Sequence, residues 1–239
     1  MSITQSQIAY PARDVTCRGE IFAPADAAGP LPIVLVVHAW DGLIDEVRDK
    51  CRRLADEGYL AFAVDIYGEG ETHTDFSTVM DVLAPYMENR ERILARMEAA
   101  MAAAKTLPGG DPARIGAMGY CFGGTCVLDL ARGGNPDCRG VVSFHGGLVP
   151  HDLDTPKHLD CSVLVLHGED DPMVPGDVVR AMIDEMTAKG VDLQFISYSQ
   201  TMHAFSRPAA NAPEIGAQYN ERTDRRAWQQ MLSFFKEIL

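Results

Sequence analysis

Short apolar runs alternate along the chain with stretches in which apolar residues recur at helical spacing. Ile33–Val37 is a continuous run of Ile, Val and Leu, which is typical of a strand buried on both faces of a parallel sheet. Further strands are predicted at Leu60–Val64, Arg114–Met118, Gly140–Phe144, Val163–Leu166 and Leu193–Ser197. Helices are predicted at Asp45–Glu57, Thr125–Arg132, Asp177–Lys189 and Asp224–Leu239. This alternation predicts an α/β fold with a mainly parallel central sheet and helices on both faces.

Two other regions complete the predicted elements. Ser6–Tyr10 and Thr16–Phe22 look like short strands joined by a turn around Pro11–Asp14. Phe76–Leu107 is predicted to be mostly helical, with an interruption near Pro85. No linker or repeat divides the sequence, so residues 1–239 are interpreted as one domain.

The turn between the strand Arg114–Met118 and the helix after it carries the most specific motif. It reads Gly119-Tyr120-Cys121-Phe122-Gly123-Gly124, the pattern of a nucleophile elbow with cysteine in place of serine. In so tight a turn, side chains at Gly119 and Gly123 would collide with the backbone. A helix N-terminus beside Cys121 would favour its thiolate. The alternative is a buried structural cysteine in an ordinary turn.

Two more candidate residues follow later strands. Asp171 comes after Val163–Leu166, and His203 comes after Leu193–Ser197. Catalytic residues of such sheets lie beyond the carboxyl ends of the strands. The order nucleophile, acid, histidine is that of the α/β-hydrolase fold, in which the histidine activates the nucleophile and the carboxylate orients the histidine. Each residue alone could instead be a turn residue or a solvated group, and Asp170 competes with Asp171.

These motifs resemble the dienelactone hydrolase family over nearly the whole stretch from Ile33 to Leu239. The residues that carry the resemblance are the cysteine elbow, Asp171 before Val174-Pro175, and His203-Ala204-Phe205-Ser206-Arg207. The resemblance implies hydrolysis of small esters or lactones without a metal or an organic cofactor. It implies a catalytic triad of Cys121, Asp171 and His203, and the place of Asp171 before Val174-Pro175 favours it over Asp170.

The resemblance also implies roles for residues around the triad. Arg207 would bind a substrate carboxylate, although an ion pair with a surface acid is the alternative. The oxyanion would be held by the backbone N–H groups of Phe122, the residue after the nucleophile, and Trp40. The sequence departs from the family at Ala39, where dienelactone hydrolase has a glutamate that helps to activate the thiol, and Asp41 lies nearby. This departure puts activity on dienelactone itself in doubt.

Several other residues keep alternative interpretations. The spacing of Cys121 and Cys126 fits no common zinc site. Histidines that end strands near the predicted site could shape a pocket or be structural: His38, His145 and His167. Arg90 and Arg92 lie where a second carboxylate ligand could stand. A long loop runs from Phe205 to Arg222, and loops of this length often cover sites.

Composition limits the function classes and the partners. The net charge of −13 argues against binding to nucleic acid or to an anionic membrane surface. The apolar runs are far shorter than the ~20 residues that a membrane span needs. The polar segment Met1–Tyr10 does not resemble a secretory signal, so the six cysteines are expected to be reduced thiols in the cytoplasm.

Three function classes therefore remain in competition. The first is a cysteine-dependent hydrolase of a small-molecule ester or lactone, acting as a monomer or homodimer. The second is another thiol-dependent enzyme on the same scaffold, with dehalogenase-like or redox chemistry. The third is a non-catalytic protein that binds a small molecule.

Overall fold

A sheet of eight strands forms the centre of the computed structural model, which describes residues 2–151 and 153–239. The strands are β1 (Ile3–Ala12), β2 (Val15–Pro24), β3 (Leu31–Val37), β4 (Leu60–Val64), β5 (Gly110–Tyr120), β6 (Cys138–Phe144), β7 (Ser162–Gly168) and β8 (Leu193–Tyr198). They are arranged in the order β1-β2-β4-β3-β5-β6-β7-β8. β1 and β2 form an antiparallel hairpin at one edge, β2 pairs antiparallel with β4, and β3 to β8 are parallel to one another. The carboxyl ends of β3, β5, β7 and β8 therefore lie at one edge of the sheet, where the predicted site residues follow them.

Six helices accompany the sheet: α1 (Asp45–Asp56), α2 (Val79–Met87), α3 (Arg90–Ala104), α4 (Phe122–Gly133), α5 (Gly176–Ala188) and α6 (Glu221–Ile238). Alternate residues of β3 point to opposite faces, with Ile33 in one hydrophobic cluster and Val34 in another. The first cluster includes buried residues of α3, α4 and α5, and the second includes those of α1 and α6. Helices thus cover both faces, which confirms the predicted α/β-hydrolase architecture.

The helical region around Pro85 is interrupted near that proline, as predicted, but the break comes three residues after it. Phe76–Thr78 forms a 3₁₀ helix that leads into α2, and Pro85 lies inside α2. The chain leaves the helix at Glu88 and Asn89, and α3 begins at the next residue, Arg90. Proline removes one hydrogen bond to the preceding turn, but here that loss comes near the end of a short helix and does not break it.

The remaining differences lie at the ends of elements and in the predicted loop. β1 and β2 are longer than their predicted strands, and the turn between them is reduced to Arg13 and Asp14, with Arg13 at φ 57°. The long loop after His203 contains a small two-stranded sheet, β9 (Asn211–Ala212) and β10 (Ala217–Gln218). No helix in the described residues is long and apolar enough to cross a membrane. The predicted domain 1–239 contains residues 1 and 152, and the predicted polar segment at the N-terminus contains residue 1. Both residues lie outside the described residues.

Candidate active site

Cys121 lies on a strained turn between β5 and α4. Its backbone has φ 54° and ψ −114°, a conformation that residues other than glycine rarely adopt, and α4 begins at the next residue. A Cβ atom at Gly119 would lie 2.1 Å from the carbonyl oxygen of Gly123, and one at Gly123 would lie 2.4 Å from that of Val37. The two glycines therefore permit the close approach of β5, α4 and β3, as the sequence predicts. The turn leaves the cysteine half-buried.

Asp171 and His203 are joined by a hydrogen bond. The Nδ1–H of His203 donates to Oδ2 of Asp171 over 2.7 Å, and the backbone N–H of Met173 donates to Oδ1 over 2.9 Å. Both side chains are buried. The carboxylate thus fixes the tautomer in which Nε2 of His203 carries the free lone pair.

The second nitrogen of His203 interacts with Cys121. Nε2 is buried, and the charge of Cys121 is the largest of the causes that raise the pKa of His203. Burial by itself lowers the pKa of His203, whereas the negative charge of an ionised Cys121 and the hydrogen bond to Asp171 raise it, and the net result is a pKa of about 10. A negative charge at Cys121 therefore stabilises the imidazolium form of His203.

The loop after β3 is held so that its backbone faces the elbow. The ring of His38 accepts a hydrogen bond at Nε2 from the N–H of Ile66 over 3.1 Å, so its Nδ1–H donates to the carbonyl of Ala39 over 2.6 Å. Burial lowers the pKa of His38, which keeps this ring neutral. The hydroxyl of Tyr67 donates to the carbonyl of Trp40 over 2.6 Å. His38 thus shapes the loop that contains one of the two predicted oxyanion donors.

The two predicted oxyanion donors have unused N–H groups. Phe122 is the first residue of α4, so its N–H has no partner within the helix. The N–H of Trp40 makes no hydrogen bond to any of the residues that the structure describes. Both N–H groups are available to a ligand beside Cys121, and whether they hold an oxyanion stays a prediction.

Arg207 is paired with two carboxylates of the loop after β3 and the start of α1. Its Nη1 lies 2.7 Å from Oδ2 of Asp41, and its Nε lies 3.4 Å from Oε2 of Glu46. Asp41 is buried, and burial raises the pKa of Glu46 while the charge of Arg207 lowers it. This arrangement matches the alternative interpretation of Arg207 as a member of an ion pair. Its role toward a substrate carboxylate stays a prediction.

The candidates for a second carboxylate ligand have other partners. Arg90 binds Asp129 through two hydrogen bonds of 2.7 Å, and both residues are buried between α3 and α4. Arg132 bridges the same Asp129 to Glu185 of α5. The guanidinium of Arg92 lies 4.6 Å from the ring centroid of Tyr86. Arg90 therefore ties helices together.

A group of buried polar residues behind the triad was not predicted. Lys50 of α1 donates to the carbonyl of Ser206 over 3.0 Å and lies 3.6 Å from Asp224. The hydroxyl of Ser206 lies 2.8 Å from Nε2 of His145, whose ring packs against that of His203 at 5.0 Å. The sequence does contain a signal for Lys50, because it falls on the apolar face of α1 with Val47, Cys51 and Leu54.

The metal alternative finds no geometric support in the described residues. No group of three or more His, Cys, Asp or Glu side chains among them is arranged to hold a metal ion. Cys126 is fully buried on α4, and burial raises its pKa well above that of a free thiol. A buried neutral thiol is a poor ligand and a poor nucleophile, so Cys126 does not compete with Cys121 as the predicted nucleophile.

Comparison with known proteins shows which sequences and folds this chain resembles. A sequence model described as the dienelactone hydrolase family matches residues 17–239. A curated protein of Salmonella typhimurium named "Putative carboxymethylenebutenolidase" is 31% identical over 228 residues, which cover 90% of this chain and 80% of that protein.

Solved structures show the same likeness over the full length. A dienelactone hydrolase-like promiscuous phosphotriesterase from metagenomic libraries is 33% identical, with a TM-score of 0.94 over 100% of this chain and 99% of that one. A structure from Klebsiella pneumoniae called "Putative Dienelactone Hydrolase" is 31% identical, with a TM-score of 0.82 over 99% of both chains. The match of the family model to residues 17–239 shows that this chain belongs to the dienelactone hydrolase family, and that it is a hydrolase of this kind.

Proposed function

We propose that the protein is a cysteine-dependent hydrolase of small carboxylic esters or lactones. The observation that carries the proposal is the 2.7 Å hydrogen bond between His203 and Asp171, which directs the free Nε2 of the histidine to the elbow cysteine. Cys121, His203 and Asp171 are assigned the roles of nucleophile, acid–base and orienting carboxylate. The strained backbone at Cys121 supports the assignment, because such strain is common at catalytic elbows.

The first half of the reaction forms a thioester. The thiolate of Cys121 attacks the carbonyl carbon of the ester, and the negative charge moves to the carbonyl oxygen, which accepts hydrogen bonds from the N–H groups of Phe122 and Trp40. When the intermediate collapses, the bond to the alcohol oxygen breaks and that oxygen takes a proton from Nε2 of His203. The products of this half are the alcohol and an acyl group bound to sulfur. For a lactone, both remain in one molecule.

The second half returns the enzyme to its starting state. The charge that raises the pKa of His203 disappears when Cys121 becomes a thioester, and burial, which lowers that pKa, remains. The imidazole therefore becomes neutral at the step at which a base is needed, and it takes a proton from the attacking water. The carbon–sulfur bond breaks, releasing a carboxylic acid and restoring the thiolate and the imidazolium.

A second candidate activity comes from the likeness to one solved structure. The relative at 33% identity is called a promiscuous phosphotriesterase, and the likeness extends over the whole of this chain. The same nucleophile would attack the phosphorus of a neutral phosphotriester, and the same N–H groups would donate hydrogen bonds to the phosphoryl oxygen, on which negative charge also develops. We propose this activity as a side reaction of the same site.

The proposal is tested by turnover of p-nitrophenyl acetate, a small lactone and a phosphotriester by the wild type and by Cys121→Ala. The matched control is Cys138→Ala, which removes a buried thiol at the amino end of β6, away from the elbow at the carboxyl ends of the strands. We expect Cys121→Ala to abolish turnover of all three while remaining folded, and Cys138→Ala to retain it. Near-native turnover by Cys121→Ala, or wild-type activity only on a haloacid, would refute the proposal.

A further inference from the structure

The positive charge of Arg207 is neutralised by carboxylates of the protein itself. Arg207 is flanked by Asp41 at 2.7 Å and Glu46 at 3.4 Å, so two carboxylates share one guanidinium. A substrate carboxylate could reach Arg207 only by displacing one of them. Displacing Asp41 would leave a buried carboxylate without its partner, which is costly. This part of the site therefore disfavours an anionic substrate.

Lys50 does not supply a replacement charge. It is buried beneath the ion pair, where it donates to the carbonyl of Ser206 and faces Asp224. The cavity between Lys50 and Asp41 has a volume of about 10 Å³. That volume holds one water molecule at most and no substrate carboxylate.

The other side of the site is apolar and open. Phe76, in the 3₁₀ helix that leads into α2, and Met80, four residues later in the first turn of α2, are 51% and 73% exposed. The ring of Phe76 contacts the indole of Trp40 edge to face, with centroids 5.5 Å apart. Since large apolar side chains exposed together often mark a binding surface, this wall of Trp40, Phe76 and Met80 is a candidate for contact with substrate.

The geometry of the reaction directs one part of the substrate to this wall. His203 protonates the leaving group, so the leaving group lies on the side of β7 and β8. Trp40 follows β3, on the opposite side of β5 in the sheet. The acyl group, which stays on the sulfur, then extends toward the side of Trp40.

We propose that the substrate of this site is a neutral ester with an apolar acyl group, which packs against the wall of Trp40, Phe76 and Met80. The proposal rests on the proposed hydrolase function and narrows its substrate class. It differs from the expectation that Arg207 binds a carboxylate, because it assigns Arg207 to the ion pair with Asp41 and Glu46. Specificity then comes from apolar contact and from the absence of charge on the substrate.

The experiment compares kcat/KM for p-nitrophenyl acetate, p-nitrophenyl hexanoate and mono-p-nitrophenyl adipate. The last two acyl chains have six carbons each and differ in the terminal carboxylate. We expect hexanoate to exceed both acetate and adipate by about tenfold or more, the discrimination that a few methylene groups give in an apolar pocket. Phe76→Ser with Met80→Ser should remove most of the advantage over acetate, because it should lower kcat/KM for hexanoate far more than kcat/KM for acetate. Ile215→Ser, which changes an exposed apolar residue in the loop after β8, is the control and should change neither.

The outcomes separate this inference from the proposed function. Turnover of adipate equal to or faster than that of hexanoate would overturn it, as would a loss confined to adipate in Arg207→Gln. In both cases the hydrolase function would stand. No turnover of any ester would instead refute the hydrolase function and the inference together. A hexanoate advantage that survives in the Phe76 and Met80 double variant would also overturn the inference, because the wall would not be its cause.

Discussion

At the scale of single residues, the proposed mechanism gives His203 two tasks that require different pKa values. Beside an ionised Cys121 its pKa is raised, which keeps the imidazolium ready to protonate a leaving group. After acylation the thiolate charge is gone, and the same ring becomes a base. The switch needs no movement of the protein, because the change of charge on the sulfur, 82 residues earlier in the chain, is its cause.

The first prediction concerns the pH dependence of Cys121 alkylation. Because the imidazolium of His203 stabilises the thiolate, iodoacetamide should alkylate Cys121 in the free enzyme at a rate that stays high below pH 8. In His203→Ala the rate should fall about tenfold per pH unit below the ordinary thiol pKa of about 8.5. The measurement is the alkylation rate between pH 6 and 9, with the label located by mass spectrometry. Parallel pH profiles of the two proteins, or first labelling at Cys126 or Cys138, would contradict the assignment.

The hydrogen-bonded pair of Asp171 and His203 could be predicted from sequence, but the partners of Arg207 could not. The elbow glycines, Asp171 and His203 have local signals, because each lies at a fixed place after a strand. Asp41 and Glu46 reach Arg207 only through the folding of the loop after β3 against the loop after β8. No spacing in the sequence indicates that contact. The prediction that Arg207 binds substrate therefore depended on family likeness alone.

At the scale of elements, the site depends on how closely β5, α4 and β3 approach one another. Gly119 and Gly123 allow the elbow to pass against the carbonyl groups of its neighbours. A cluster of ion pairs connects α4 to α3 and α5, and it consists of Arg90, Asp129, Arg132 and Glu185. Together these contacts hold the N-terminus of α4, and with it the N–H of Phe122, beside Cys121.

The second prediction tests this close packing. Gly119→Ala should destabilise the protein by about 3 kcal/mol or more, because its Cβ would lie 2.1 Å from a backbone oxygen that cannot move away freely. Gly176→Ala is the matched control, since a Cβ at Gly176 meets no atom within 4 Å. The measurement is the free energy of unfolding in urea. An equal effect of the two substitutions would show that the elbow tolerates a side chain and would refute the explanation given for Gly119.

The elements themselves were predictable where their hydrophobic pattern is strong. β4 runs from Leu60 to Val64 in the sequence pattern and in the structure alike. The predicted interruption near Pro85 falls at Glu88 and Asn89 and not at the proline itself, because a proline near the end of a helix costs less than one in its middle. The pattern missed β9 and β10, whose pairing depends on the contact of Ala217 with His203 and not on their own two-residue sequences. Tertiary contacts decide such short elements.

At the scale of the whole molecule, several buried histidines have pKa values that are shifted in the opposite direction from that of His203. Burial lowers the pKa values of His38, His145 and His167, so these rings resist protonation in the folded state. The unfolded chain binds those protons at its ordinary pKa of about 6.5. Their contribution to stability is therefore complete above about pH 6.5 and is lost as the pH falls toward their folded values. His203, with its raised pKa, contributes in the opposite sense, since its stabilisation is complete below pH 6.5 and is lost at alkaline pH.

The third prediction follows from this balance. The free energy of unfolding should fall between pH 7.5 and pH 5.5, by up to about 1.4 kcal/mol per pH unit below 6.5 for each fully buried neutral histidine. His167→Gln should reduce this pH dependence. The net charge of −13 acts in the other direction, because acid relieves the repulsion among carboxylates, so the histidine variant is the necessary comparison. If the free energy of unfolding of His167→Gln depends on pH as that of the wild type does, the burial of His167 does not cause the loss of stability in acid.

The acyl-enzyme gives the most direct test of the central claim, that Cys121 is the nucleophile of a hydrolase. Mixing the enzyme with excess p-nitrophenyl acetate and quenching in acid within milliseconds should trap an added acetyl group, located on Cys121 by peptide mass spectrometry and released by hydroxylamine as a thioester is. The wild type should lose the group within seconds at pH 7.5. An acetyl group on another residue, or ester turnover with no acyl-enzyme and full activity in Cys121→Ala, would contradict the claim.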